Sequence, residues 1–199
     1  MKSERKNSDK CCSPVRKWML SFMALGLTGC VIFGALFAGT GTDWLLAAAI
    51  SFGMCAYHMA IRFLAPVILS VVFHRKYNEK SRWFRQRSWE LKWYRFLRVK
   101  KWKGKAITYD PSEFSLKIHT IEEIINNMCH AELVHELIMV LSFTSLFFAI
   151  PFGSWEIFLV TAILAAAVDG MFVVIQRFNR PRLILLAEKE KREPNRAKK

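Results

Sequence analysis

Apolar residues gather into four long runs, at about 18–38, 44–73, 134–152 and 155–175, and polar or charged residues fill the intervals. A helix needs roughly 20 apolar residues to cross the hydrocarbon layer of a membrane. The first, second and fourth runs meet that length, and the third stands at its short end. Each predicts a transmembrane helix, the second being long enough to tilt, kink or begin in the interface. The predicted fold class is an all-α integral membrane protein with about four transmembrane helices and a basic, aromatic interfacial segment. The chain divides into a basic tail 1–17, helices 1 and 2 over 18–73, the interfacial segment 74–133, helices 3 and 4 over 134–176, and a basic tail 177–199.

Composition agrees. A chain that is 53% hydrophobic yet carries a net charge of +14 keeps its grease and its charge apart, as integral membrane proteins do. The cations choose an orientation. Lys2, Arg5, Lys6, Lys10, Arg16 and Lys17 precede the first run, fourteen Lys and Arg lie in 74–133, and nine follow from Arg177. The connections 39–43 and 150–155 have none. Lys/Arg excess marks cytoplasmic segments, so both termini and the central segment are expected in the cytoplasm of a multi-pass cell-membrane protein. No cleavage pattern follows the first run, which is read as retained. The cysteines, at 11, 12, 30, 55 and 129, are expected as thiols. Acylation of Cys11-Cys12 is the lesser reading beside a plain basic tail.

The segment 74–133 interleaves Trp83, Phe84, Trp89, Trp93, Tyr94, Phe96 and Trp102 with Lys and Arg. That pattern suits a helix in the headgroup layer, and with four flanking spans it outweighs a nucleic-acid reading. Breaks are expected at Gly104 and at Asp110-Pro111, where Asp110, Pro111 and Glu113 read as the start of a short helical turn. Thr120 and Glu123 form a capping box. It begins a helix expected to run through Glu132 into span three.

Chemistry concentrates at His130-Ala131-Glu132-Leu133-Val134-His135, where this helix enters the apolar layer. Glu132 and His135 are three apart and share a face, Glu136 continues the Glu132 stripe, and His130 lies on another side. The Glu-x-x-His spacing also occurs in di-iron bundles, but that needs carboxylates on other helices, and the interior of span four offers only Asp169; no metal is expected. Asp169 lies seven residues before Gln176, hence on one face with it. The short connection makes spans three and four antiparallel neighbours and sets Glu132 and His135 beside Gln176, Arg177 and Arg180. Glu132 pairing with an arginine satisfies both, with docking of two helices as the structural alternative. Pro181 is expected to turn the chain at the end of span four by pushing Arg180 out of helical geometry. The Asn179-Arg180-Pro181-Arg182 guanidiniums suit phosphate, carboxylate or thioester recognition, or a plain positive flank. In span two, His58 and Arg62 share a face, and Arg62 is either a functional intramembrane charge or a snorkelling one.

Three stretches resemble the glycosyl-4,4'-diaponeurosporenoate acyltransferases, small membrane proteins assigned the esterification of a fatty acid onto a sugar hydroxyl of a glycosylated carotenoid. They are Val99-Lys100-Lys101-Trp102-Lys103-Gly104-Lys105, Ala131-Glu132-Leu133-Val134-His135 and Gln176-Arg177-Phe178-Asn179-Arg180-Pro181-Arg182-Leu183. Order and spacing fit over about 60–190. His130, Asp169 and Phe178 depart from the usual Arg, Asn and Tyr, and the first span is additional to shorter members. The resemblance implies a membrane O-acyltransferase that binds no cofactor, uses acyl-CoA as co-substrate and acts on a lipid acceptor. His135, Glu132 and Asp169 are then catalytic candidates. Gln176, Arg177, Asn179, Arg180, Arg182, Trp102 and Lys103 are substrate-binding candidates. Two other classes stay open: a membrane lipid-modifying enzyme of methyltransferase or reductase type, and a non-catalytic protein that binds anionic lipid.

Overall fold

The computed structural model describes residues 14–105 and 111–196, and every regular element among them is helical. Helix α1 (Pro14–Thr40) and α2 (Asp43–Phe73) form one antiparallel pair. A basic segment with two short helices follows, α3 (Ser88–Phe96) and α4 (Val99–Trp102). Then come α5 (Ile121–Thr144), a 3₁₀ stretch (Ser145–Phe148), α6 (Ala149–Phe152) and α7 (Trp155–Arg196). Four stretches, Pro14–Thr40, Asp43–Phe73, Ile121–Phe152 and Trp155–Arg192, are long and apolar enough to cross a membrane, matching the four runs read from the pattern. Cys11 and Cys12 and the expected cap at Asp110 lie outside the described residues.

The local chemistry explains most boundaries. Thr120 accepts the backbone N–H of Glu123 while the Glu123 carboxylate accepts that of Thr120. This capping box starts α5 thirteen residues before the apolar run, so the short third run is completed by its polar entrance. Gly153 and Ser154, both at positive φ (65° and 51°), make the reversal into α7. Gly153 has ψ −148°, a combination open almost only to a residue without Cβ. That sharp turn forces α5 and α7 into antiparallel contact.

Pro181 does not end span four. Helix α7 continues through it to Arg196. The bias of a pre-proline residue away from helical geometry is overridden at Arg180, whose buried guanidinium is held from two sides (below). A proline inside a helix still cannot donate to the carbonyl four residues earlier. In α7 that carbonyl belongs to Arg177, and in α2, at Pro66, to Arg62.

Helix α2 stands at the centre. Its Ile61, Ala65 and Leu69 pack on Val134 and Ile138 of α5, and its Ile50 and Met54 pack on Phe158 of α7. Helix α1 is peripheral, with only Gly26 and Gly29 buried. A Cβ on Gly29 would lie 2.5 Å from the Phe52 ring, and one on Gly26 2.9 Å from the Phe52 carbonyl oxygen. Close approach through small residues is how apolar helices associate where lipid removes the hydrophobic drive.

The central segment is not one interfacial helix. It breaks at Arg98, which sits at φ 50° between α3 and α4, and it folds across the polar ends of α5 and α7. Trp83, Trp89, Trp93 and Phe96 face outward while Glu90 is buried. Aromatics outside and an acid inside suit a surface that meets headgroups.

Candidate active site

Two polar layers stack along the α5–α7 seam. In the deeper one, α2, α5 and α7 each contribute a charged or ionisable group. Asp169 on α7 is almost fully buried, and both its oxygens are engaged. Oδ2 accepts from Arg62 of α2, and Oδ1 lies 2.8 Å from Nδ1 of His135 on α5. The Arg62 guanidinium is fixed a second time by donating to the carbonyl of His58, one turn back, at 2.7 Å. The His135 ring is stacked on Phe172 at 4.7 Å and 12°. Stacking and hydrogen bond together leave the imidazole one orientation. His135 keeps 22% of its side chain exposed against 1% for Asp169, so its far edge is open. His58 is buried with neither ring nitrogen bonded among the described residues.

The outer layer is an ion network. Glu132, fully buried, accepts from Arg180, and its other oxygen is 3.3 Å from Arg177. Arg177 also reaches Glu90 at 3.2 Å and Glu136 at 3.7 Å, and donates to the Trp83 carbonyl at 3.1 Å. Arg180 donates to the Phe84 carbonyl and lies over the Phe84 ring at 5.0 Å. The network binds the segment before α3 onto both long helices. Such buried charges are tolerable only when each finds a partner.

Beyond it, Lys103 donates to Asn179 Oδ1 at 2.6 Å. Phe178 is held between Lys103 and Arg182, whose charged ends lie 4.8 and 4.4 Å from its centroid. Tyr94 meets Phe178 edge-on and donates to Glu90 at 2.7 Å. Burial, then that hydrogen bond, raises the Tyr94 hydroxyl pKa well above its ordinary range. Burial lowers the Lys103 pKa, and Arg182 and Lys100 push the same way. Gln176 is buried one turn beyond Phe172.

The structure thus separates the candidates. His135 and Asp169 form a dyad, and Glu132 belongs to Arg180 and Arg177 rather than to His135. Asn179, Arg182 and Lys103 share a third cluster, while the Trp102 indole closes its own turn on the Leu97 carbonyl at 2.9 Å. His130, on its separate face, bonds the Tyr77 hydroxyl at 2.7 Å. Arg62 is a partner of the site, not a snorkelling charge. Glu90 went unread, though it is the sole acid among the cations of 80–105. Phe172 and the carbonyls of Trp83 and Phe84 leave no mark in a sequence.

With Asp169 accepting from Nδ1–H, Nε2 carries the free lone pair of His135. A carboxylate-oriented imidazole with one open nitrogen is the arrangement that takes a proton from a hydroxyl. The family model for glycosyl-4,4'-diaponeurosporenoate acyltransferase matches residues 80–189, a stretch that holds both polar layers except Arg62 and His58. No curated protein and no solved structure matches the chain.

Proposed function

The chain belongs to the glycosyl-4,4'-diaponeurosporenoate acyltransferase family, a family of acyltransferases in carotenoid biosynthesis, and from that premise we propose a direct acyl transfer centred on His135. The acceptor is a sugar hydroxyl of a glycosylated isoprenoid or carotenoid-like lipid, and the donor a fatty-acyl thioester, most simply acyl-CoA. His135 Nε2 takes the hydroxyl proton as the oxygen attacks the thioester carbonyl carbon. The tetrahedral intermediate collapses, breaking the C–S bond, and the leaving thiolate recovers the proton from Nε2–H. Ester and free thiol are the products. Asp169 orients the imidazole and faces the imidazolium that forms. We assign the developing oxyanion to the Gln176 amide, which is buried one turn from Phe172.

The Asp169–His135 contact supports this reading most directly, because it engages Nδ1 and leaves Nε2 for base chemistry. Base catalysis of this kind contributes about 10²–10⁴ in rate. The test is incubation of the full chain in nanodiscs with acyl-CoA and a glycosylated carotenoid. The expected product is heavier by one acyl group, and His135→Ala should insert and accumulate normally yet lose turnover by about that factor. Wild-type turnover by the variant, or a product heavier by a methyl group, would refute the proposal.

A further inference from the structure

A groove of about 540 Å³ opens between α3, α4 and the polar part of α7. Its floor is aromatic, with Tyr94 and Phe178, and its rim carries Arg95, Arg98, Lys101 and Arg182. No carboxylate lines it. Among the described residues none of these four cations has an ion-pair partner, although Arg177 and Arg180, nearby on α7, are ion-paired with carboxylates. An ordinary positive flank would leave such cations splayed in water. Here they come from α3, the turn at Arg98, α4 and α7, and line one concavity. Lys103, tied to Asn179, adds its ammonium over the same Phe178 ring.

We propose that this groove holds the nucleotide end of the thioester donor, a 3'-phosphorylated adenosine diphosphate carrying a pantetheine arm. The phosphates would lie on Arg95, Arg98, Lys101 and Arg182, and the base would lie against the exposed Leu91 side chain on the groove wall. The inference rests on the acyl-thioester reading above. Phosphate binding by converging guanidiniums follows from their planar, forked donors. Spacing selects this ligand over a phospholipid. Phe178 is nine residues beyond Asp169, a rise of roughly 14 Å along α7 and two and a half turns, so on its opposite face. Only a long arm passing round the helix, such as pantetheine, would carry a thioester carbonyl from the groove to His135. In a phospholipid the acyl ester lies only a few bonds from the phosphate, so the two ends could not reach groove and imidazole together.

The test compares two donors, acyl-CoA and S-acyl pantetheine, which lacks the nucleotide, using the full chain in nanodiscs of uncharged phosphatidylcholine. Arg95→Gln combined with Arg98→Gln should raise KM for acyl-CoA about tenfold or more and leave KM for S-acyl pantetheine in place. Turnover of the short donor shows that the variant is folded. Calorimetry should detect 3',5'-ADP binding to the wild type and its loss in the double variant. An equal KM shift for both donors, or no shift, overturns the groove assignment while leaving the acyl-transfer reading intact. The absence of 3',5'-ADP binding also overturns it. If neither donor is consumed but 3',5'-ADP binds only to the unaltered groove, the acyl-thioester reading fails and the nucleotide site stands.

Discussion

Asp169 has two duties, and they are separable. It orients His135 through Oδ1 and compensates Arg62 through Oδ2. Asparagine, usual at this position in the family the chain resembles, is isosteric and bonds either partner, but in this chain it would leave the Arg62 charge and the forming imidazolium without a counter-charge. Asp169→Asn should therefore lower kcat by about 10- to 100-fold, within the span usual for a base-orienting contact. It should also destabilise the protein by about 3–5 kcal/mol, because a buried guanidinium loses its counter-charge. Arg62→Met combined with Asp169→Asn should recover most of that stability and none of the rate. Thermal unfolding and turnover measured on the same samples check this. A double variant that recovers both would make Asp169 a structural residue only.

Helices α5 and α7 are locked by Glu132, Arg177 and Arg180 rather than by apolar contact alone. Arg180 serves two acceptors at once, the Glu132 carboxylate and the Phe84 carbonyl. A lysine presents one compact charge and cannot fork between them. Arg180→Lys should lower thermal stability by about 2–4 kcal/mol and expose the segment before α3 to protease; unchanged cleavage there would count against the clamp. The α1–α2 contact answers differently. Gly29→Leu would drive a side chain into the Phe52 ring and displace α1. No residue of either polar layer lies on α1, so turnover should stay within about twofold of wild type while stability falls by about 1–3 kcal/mol, the usual cost of overpacking. Loss of activity without loss of stability would assign α1 a catalytic part.

At the scale of the whole molecule, the polar layers, the groove and the basic segment all lie toward one end of the bundle. The opposite end consists of two short turns, around Gly41 and Gly153. From the Lys/Arg distribution we propose that the polar end faces the cytoplasm, where soluble thioesters are found. In a cysteine-free background, Thr42→Cys and Ser154→Cys should react with an impermeant maleimide on intact cells. Glu188→Cys should react only after permeabilisation. The reverse pattern would place the site outside and remove a cytosolic donor from the proposal.

Periodicity and charge determined a good deal unaided. Apolar run length required four spans, because lipid admits few other ways to satisfy a backbone. The Thr120–Glu123 box marked the start of α5 because capping is local. A short turn made α5 and α7 neighbours, and so brought Glu132 to the arginines of α7. What no single run could settle was choice among partners. Glu132 and His135 share a face, yet an offset of three residues along α5 gives one to Arg180 and the other to Asp169. Arg62 lies over a hundred residues from Asp169, and only the packing of α2 against both other helices sets them together. Pro181 marked a helix end by its local bias, and the ties of Arg180 to Glu132 and Phe84 overruled it. Local chemistry wrote the helices, and the long-range pairing of a few buried charges, each too costly to leave alone, decided how they meet.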